Sequence, residues 1–480
     1  MNILLTGATG YIGGKLASRL LQAGQAVTCL VRDPARFAAP PGAQVIAGDA
    51  FDPASLDRAL AGMDVAYYLI HSMKAGEQGF EERDREAARN FATAARKAGV
   101  QQLIYVGGLG SQDDELSSHL RSRQETGNVL RQYGPPVTEF RAAVVVGSGS
   151  ISFEIIRYLA ERLPVMICPS WVTTRIQPIA IDDLLDYLCA AANQPRSRGE
   201  IIEIGGSTVE SYRSMMLLYA KARGLRRYLL RVPILTPRLS SYWLDFVTPI
   251  PPAMSRPLIE GLRSEVICRS SKASEIFPQL HPMSYDQAVR KALARKEWAQ
   301  IEAICEPPPL RNGNPQHLLV ESQGMIVDVS EREVTVSAHQ AFRVIEGIGG
   351  KRGWFFANIL WQARAQVDRL FGGVGMGNGR RDPDHLVEGD TLDFWEVEKF
   401  EPDQLLRLRA KMRVPGDAWL QFRIFPLDAA RCRLRSTAFF QPRGLTGFLY
   451  WWVLYPVHVV IFRGMLKSIA SRSEALRSSP

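Results

Sequence analysis

The sequence predicts an α/β protein, a doubly wound parallel sheet with a small lobe, followed by a separate α+β domain. Three observations carry this reading. Short apolar runs alternate with helical stretches from the first residue to about 205, the order expected of βαβ units. A glycine-spaced turn joins the first run to the first helix. Pro307-Pro308-Pro309, with Asn312-Gly313-Asn314-Pro315 behind it, then separates this region from one of different style, because successive prolines bar both helix and ladder.

In order, the strands are expected at Ile3–Thr6, Val27–Val31, Val45–Ala47, Val65–Ile70, Leu103–Val106, Val137–Phe140 and Ile176–Ile181. Gly24 and Gly99 close two of the helices between them. Pro233, Pro237, Pro249, Pro251, Pro252 and Pro257 punctuate a smaller lobe, about 206–305, suited to holding a substrate. The domains are thus read as 1–305, a linker at 306–318, and 319–480. The last contains strands at Leu392–Lys399, Leu405–Met412, Trp419–Phe425 and Cys432–Phe440 and a long apolar terminal helix, and it holds six of the nine tryptophans.

Composition narrows the class. The chain has 480 residues, 46% hydrophobic and 22% charged, which is ordinary globular usage. Its net charge of +9 is spread over both domains, not gathered into a nucleic-acid footprint, so no nucleic-acid partner is expected. Six cysteines stand far apart with no C-x-x-C pair, which argues against a metal knuckle or disulfide scaffold and for a reducing cytoplasm. The opening Met1-Asn2-Ile3-Leu4 lacks the basic start and cleavage site of a secretory signal. No metal site is expected.

The strongest motif is Thr6-Gly7-Ala8-Thr9-Gly10-Tyr11-Ile12-Gly13. Gly7 permits the tight turn, Gly10 lets backbone approach a pyrophosphate, and Gly13 lets the helix sit close to the sheet; amides at the helix start then face the anion. After the second strand comes Leu30-Val31-Arg32-Asp33-Pro34, with Arg36 beyond. Arg32 and Arg36 suit a 2′-phosphate, so NADP(H) is favoured over NAD(H), while Asp33 keeps the ribose-hydroxyl alternative open. Asp49, beside Ala50, either meets the adenine amino group or is an ordinary turn acid. His71 and Ser72 follow the fourth strand and read either as cofactor contacts or as loop packing.

These motifs resemble the atypical or extended short-chain dehydrogenase/reductases, the neighbourhood of NmrA-like and epimerase-like proteins, over about Met1 to Ile304. Phe140-Arg141-Ala142 and Gln177-Pro178-Ile179-Ala180-Ile181-Asp182-Asp183 support the placement. The resemblance implies a Rossmann-type fold and an oxidoreductase with a serine, a tyrosine and a lysine at its centre. Here the pattern departs: Gly107-Gly108 stands where the serine belongs, and His119 and Arg123 align with the tyrosine and lysine. Their i, i+4 spacing shares one helix face, so His119 becomes the candidate proton donor and Arg123 the candidate ribose holder. A polar helix face is the alternative, and Ser111 and Tyr105 are the substitute acids. The chain is either an NADPH-dependent enzyme reducing or isomerising a hydrophobic substrate, or a catalytically degenerate NADP(H) sensor or scaffold.

The second domain resembles START or polyketide-cyclase-like helix-grip domains. More closely, Gly389-Asp390-x-Leu392-Asp393-Phe394-Trp395 and Tyr450-Trp451-Trp452 look like an uncharacterised domain often fused behind such halves in bacterial proteins. That resemblance implies an apolar cavity for a small hydrophobic substrate or lipid, with Trp354, Trp361, Trp395 and Trp419 as its candidate lining or as plain core. No charge occurs between Arg443 and Arg463. The stretch 444–466 is therefore read as a packed helix, a contact with the inner face of a membrane, or a span.

Overall fold

A computed structural model of the chain describes residues 1–70, 80–110, 118–232, 247–252, 264–294, 298, 301–302, 316–376 and 379–477. Two compact units result: Met1–Ala160 with Val165–Arg295, and Glu161–Pro164 with Lys296–Pro480.

In the first unit the chain runs β1 (Asn2–Thr6), α1 (Tyr11–Gln22), β2 (Ala26–Val31), β3 (Gln44–Ala47), α2 (Pro53–Leu60), β4 (Val65–Tyr68), α3 (Phe80–Lys97), β5 (Gln102–Gly108), α4 (Ser118–Tyr133) and β6 (Val137–Ala142). The sheet order β3-β2-β1-β4-β5-β6 places the direction switch between β1 and β4. Every pairing in it is parallel. Apolar residues on both faces of each strand explain this: Ile3 and Leu5 pack with Leu16, Ala17 and Leu20 of α1, whereas Leu4 packs with Leu56 and Phe91 on the other side.

The seventh strand departs from expectation. It is Ile201–Ile204, paired parallel to β6, not Ile176–Ile181. Pro178, which lacks an amide proton, breaks that earlier run into Arg175–Ile176 and Ile179–Ala180, and each piece joins a separate two-stranded ladder. Pro233, Pro237 and Pro257 of the expected lobe lie outside the described residues.

The second unit is a seven-stranded sheet of Gln316–Ser322, Met325–Val334, Thr391–Leu392, Trp395–Glu401, Leu405–Ala410, Gly416–Asp428 and Arg431–Pro442, all pairings antiparallel. Its first strand begins at Gln316, inside the stretch expected as linker. Helices at Ala338–Glu346 and Asn358–Leu370 separate the second and third strands, and Gly444–Arg477 closes the chain. Alternation sends Ile326, Leu420 and Phe440 into one core with Trp354, Trp361 and Trp451, and sends Val327, Trp419 and Phe439 to the opposite face with Ile301. Trp419 therefore does not join the other candidate lining residues; its ring lies 5.4 Å from Trp298 on the far side.

Candidate functional site

The turn after β1 is built by close backbone contacts. Gly7 has φ +70°, and a Cβ there would fall 2.5 Å from the Leu69 carbonyl oxygen at the end of β4. Thr6 Oγ1 donates to the Tyr67 carbonyl at 2.9 Å and accepts from the Leu69 amide at 3.1 Å, fixing β1 to β4 at the switch point. The Gly10 amide closes the turn on the Gly7 carbonyl at 2.9 Å.

Gly10 is the N-cap of α1, and no side chain caps that helix. The first-turn amides of Tyr11, Ile12 and Gly13 thus form a natural anion site, because a helix start leaves its early N–H groups without intrahelical partners. Among the described residues, a Cβ at Gly10 would have only the Gly7 oxygen within 4 Å, at 3.2 Å. Gly13 lies against the residue that follows β1. A Cβ there would sit 2.2 Å from the Gly7 oxygen, 2.7 Å from the Gly7 carbonyl carbon and 3.1 Å from Ala8 Cα. Thr9 lies exposed in the turn, while the Tyr11 hydroxyl reaches across to Gly147, where a Cβ would come within 2.4 Å of it.

Beyond β2, Arg32 is exposed. Asp33 is turned back on its own chain, accepting the Ala35 amide at 3.1 Å and pairing with Arg36 at 3.4 Å. Both partners of that pair are exposed, and Arg32 makes no such local pair among the described residues. Asp49 Oδ1 accepts the Phe51 amide at 3.1 Å, and Ala50 beside it is buried. His71 and Ser72, and likewise Ser111, lie outside the described residues.

At the far side of the switch point, the place of the missing serine is occupied. A Cβ on Gly108 would meet Leu120 Cδ2 at 2.6 Å, so the first turns of α4 fill that space with an apolar side chain. His119 is in the first turn of α4, its side chain outside the described set. Arg123 donates to the Val106 carbonyl and its own carbonyl accepts the Tyr105 hydroxyl at 2.9 Å, so it is tied to the end of β5. Tyr105 is core: it is buried, and burial pushes its phenol up against the opposing effect of Arg123, which removes it as a substitute acid. Burial likewise pushes the Cys29 and Cys189 thiols up to about 11, away from nucleophilic use.

One feature went unread in the sequence. Glu139 on β6 is fully buried and accepts from Arg131 of α4 and, at 2.7 Å, from Arg141. Gly127 lies so close that a Cβ would fall 2.5 Å from Glu139 Oε2. The acid and its two cations lock α4, which carries His119 and Arg123, onto the sheet. An acid inside an otherwise apolar strand, followed by arginine, was the available signal.

Comparisons with known proteins agree with this geometry. Residues 7–157 match the model of a family described as NAD(P)H-binding, and residues 323–465 match a family described as a protein of unknown function, DUF2867. A ceramide reductase of Caulobacter vibrioides is 31% identical over 196 residues, 40% of this chain and 61% of that protein. A (4-alkanoyl-5-oxo-2,5-dihydrofuran-3-yl)methyl phosphate reductase of Streptomyces griseus is 34% identical over 141 residues, 29% of this chain and 46% of that protein. The alignments thus cover less than two thirds of either relative's length. The NADPH-dependent quinone oxidoreductase QOR2 of Escherichia coli, solved with NADPH, superposes over 61% of this chain and 99% of its own with a TM-score of 0.50 at 20% identity. The first unit has a Rossmann-like, NAD(P)-binding fold.

Proposed function

We propose that the chain is an NADPH-dependent oxidoreductase acting on a hydrophobic substrate that carries a reducible group. The observation that carries the reading is the start of α1 at the switch point, which no side chain caps among the described residues and which is held against the Gly7 turn. The Gly10–Gly13 amides bind the pyrophosphate. Arg32 pairs with the 2′-phosphate, and Asp33, already engaged by Ala35 and Arg36, does not compete with it. When bound, the dinucleotide supplies a hydride. Arg123 orients the end of β5 toward the ribose, and His119 delivers the proton, replacing the family's tyrosine. The two relatives' names as reductases support the reaction class.

The second unit supports the hydrophobic substrate. Trp354, Trp361 and Trp395 gather with Phe394, with ring centroids 5.3–6.1 Å apart. Trp354 gives its indole N–H to Asp393 at 2.9 Å, but the buried N–H groups of Trp361 and Trp395 find no acceptor among the described residues. Two unmet donors in an aromatic interior suit an apolar ligand with an oxygen acceptor.

A degenerate sensor is the second reading, favoured by Leu120 in the serine's place. The test is a titration of NADPH and NADH against wild type and Arg32→Ala, with turnover followed at the nicotinamide absorbance using lipid-like ketones and quinones. The enzyme reading expects Arg32→Ala to lose about tenfold or more for NADPH and little for NADH, and His119→Ala to lose turnover while keeping NADPH affinity. Tight NADPH binding with no turnover on any substrate would favour the sensor.

A further inference from the structure

The helix Gly444–Arg477 has an 18-residue window of mean hydropathy 1.6, of which only 17% is buried. One face is accounted for: Trp451 stacks on Phe440 of the sheet at 5.5 Å, and Ile461, Phe462, Met465 and Ile469 enter the core. The opposite face leaves Leu449, Trp452, Val453, Val457 and Val460 exposed, at i, i+3, i+4, i+8 and i+11.

The helix Asn358–Leu370 touches it at its N-terminal end. Phe356, just before this helix, abuts Gly464, and the Trp361 ring lies 6.4 Å from that of Phe462. Its inner face is Trp361, Ala365 and Asp368. Its outer side exposes Gln362 and Gln366 beside a row of apolar residues that continues into the following turn: Ile359 is 79%, Leu370 84% and Phe371 70% exposed. Isolated exposed hydrophobics are unremarkable, but two neighbouring helices with apolar outer rows make a docking surface.

Charge identifies the occupant. From Lys351 to Met376 the only acid is Asp368, which is buried and accepts the amides of Gly375 and Arg413; from Arg443 to Arg472 there is none. Arg369, Arg443, Arg463, Lys467 and Arg472 are all exposed. An apolar face flanked by these five cations and carrying an exposed tryptophan matches an anionic lipid surface, where chains and indole enter the interface and cations meet headgroups. At about 1.5 Å per residue the helix is also longer than the roughly 30 Å hydrocarbon layer, and its inner face is committed to its own sheet, so it lies in the interface plane and does not cross.

We propose that the second unit docks on an anionic membrane surface through the outer faces of Asn358–Leu370 and Gly444–Arg477. The test is flotation of the full chain with vesicles of phosphatidylcholine alone and of phosphatidylcholine with phosphatidylglycerol, at low and high salt. Two paired variants, Leu370→Glu with Phe371→Glu and Val453→Glu with Val457→Glu, change exposed positions only, and their melting temperatures and NADPH affinities serve as fold controls. The expected result is binding to the anionic vesicles that weakens with salt and drops about tenfold or more in each variant pair, with NADPH affinity unchanged. Failure of the wild type to float with anionic vesicles would overturn the proposal, as would variants that float like wild type. Resistance of membrane-bound protein to alkaline carbonate would overturn it in favour of a span. A wild-type dimer in solution that the same substitutions dissociate would overturn it in favour of a second copy of the chain.

Discussion

Gly13→Ala tests the physical basis of the dinucleotide turn, because two effects of opposite sign act at that position. In an ordinary helix interior the change to alanine stabilises by about 1 kcal/mol. Here the added Cβ would lie 2.2 Å from the Gly7 carbonyl oxygen, a backbone atom that cannot swing aside. Even a close carbon–oxygen contact needs about 3.3 Å, so the start of α1 must recede by roughly 1 Å. Overpacking of that kind costs about 1–3 kcal/mol. The clash outweighs the propensity gain, and the expected net loss is about 1 kcal/mol, a fall in melting temperature of roughly 2–4 °C. Ligand binding suffers more, since the displaced atoms are the amides that face the pyrophosphate. Losing one amide hydrogen bond to the charged pyrophosphate, at about 1.5–3 kcal/mol, corresponds to roughly a tenfold or greater loss of affinity. Differential scanning fluorimetry and a fluorescence titration with NADPH read both quantities. Gly14→Ala is the control, with its nearest contact, the Ala8 oxygen, at 3.2 Å, and it should be close to neutral in both. A Gly13→Ala protein that melts higher than wild type and binds NADPH unchanged would refute the reasoning.

Other outcomes follow from the same structure. Burial, helped by Arg364, pushes the His458 imidazole down to about 4. The unfolded chain therefore takes up a proton first as pH falls, so stability present above about 6.5 is lost progressively toward pH 4, by up to about 3 kcal/mol; chemical denaturation at stepped pH should show this slope, and His458→Phe should flatten it. Glu302 accepts from Arg407 at 2.6 Å and pairs with Arg423 at 3.0 Å, and Arg407 lies 3.9 Å over the Trp298 ring. Glu302→Ala leaves the buried Arg407 without its carboxylate, with Gln421 still accepting from its Nε at 2.7 Å, and should destabilise the second unit by about 3 kcal/mol in a denaturant melt. Asp393→Ala leaves the Trp354 N–H buried without its acceptor and should cost about 1–3 kcal/mol, with a change in tryptophan emission.

The parts of the fold legible in the sequence were those with strong local signals. Gly7 and Gly10 announced the turn by spacing, and β1, β2, β4 and β5 stood out as apolar runs buried on both faces. Ile201–Ile204 was missed because four residues interrupted by Glu203 look weaker than Ile176–Ile181, whose proline then disqualifies it. Gln316–Val334 went unread as a hairpin: its polar and charged members, among them Asp328, Ser330 and Glu331, are buried, which hides the alternation of apolar and polar faces. At the site, residue types were readable but neighbours were not. The aspartate after β2 is absorbed by its own turn, Leu120 fills the serine's place, and Trp419 points away from the other tryptophans, all consequences of pairing register and side-chain direction. The apolar outer face of Asn358–Leu370 was likewise invisible until the sheet showed which face was spent.

The central claim is that the turn from Gly7 to Gly13 holds a pyridine dinucleotide. Titration calorimetry of the full chain with NADPH tests it most directly. The account expects one saturable site per chain that Gly13→Ala weakens and Gly14→Ala spares; the absence of any binding heat with both NADPH and NADH, on protein shown to be folded, would contradict it.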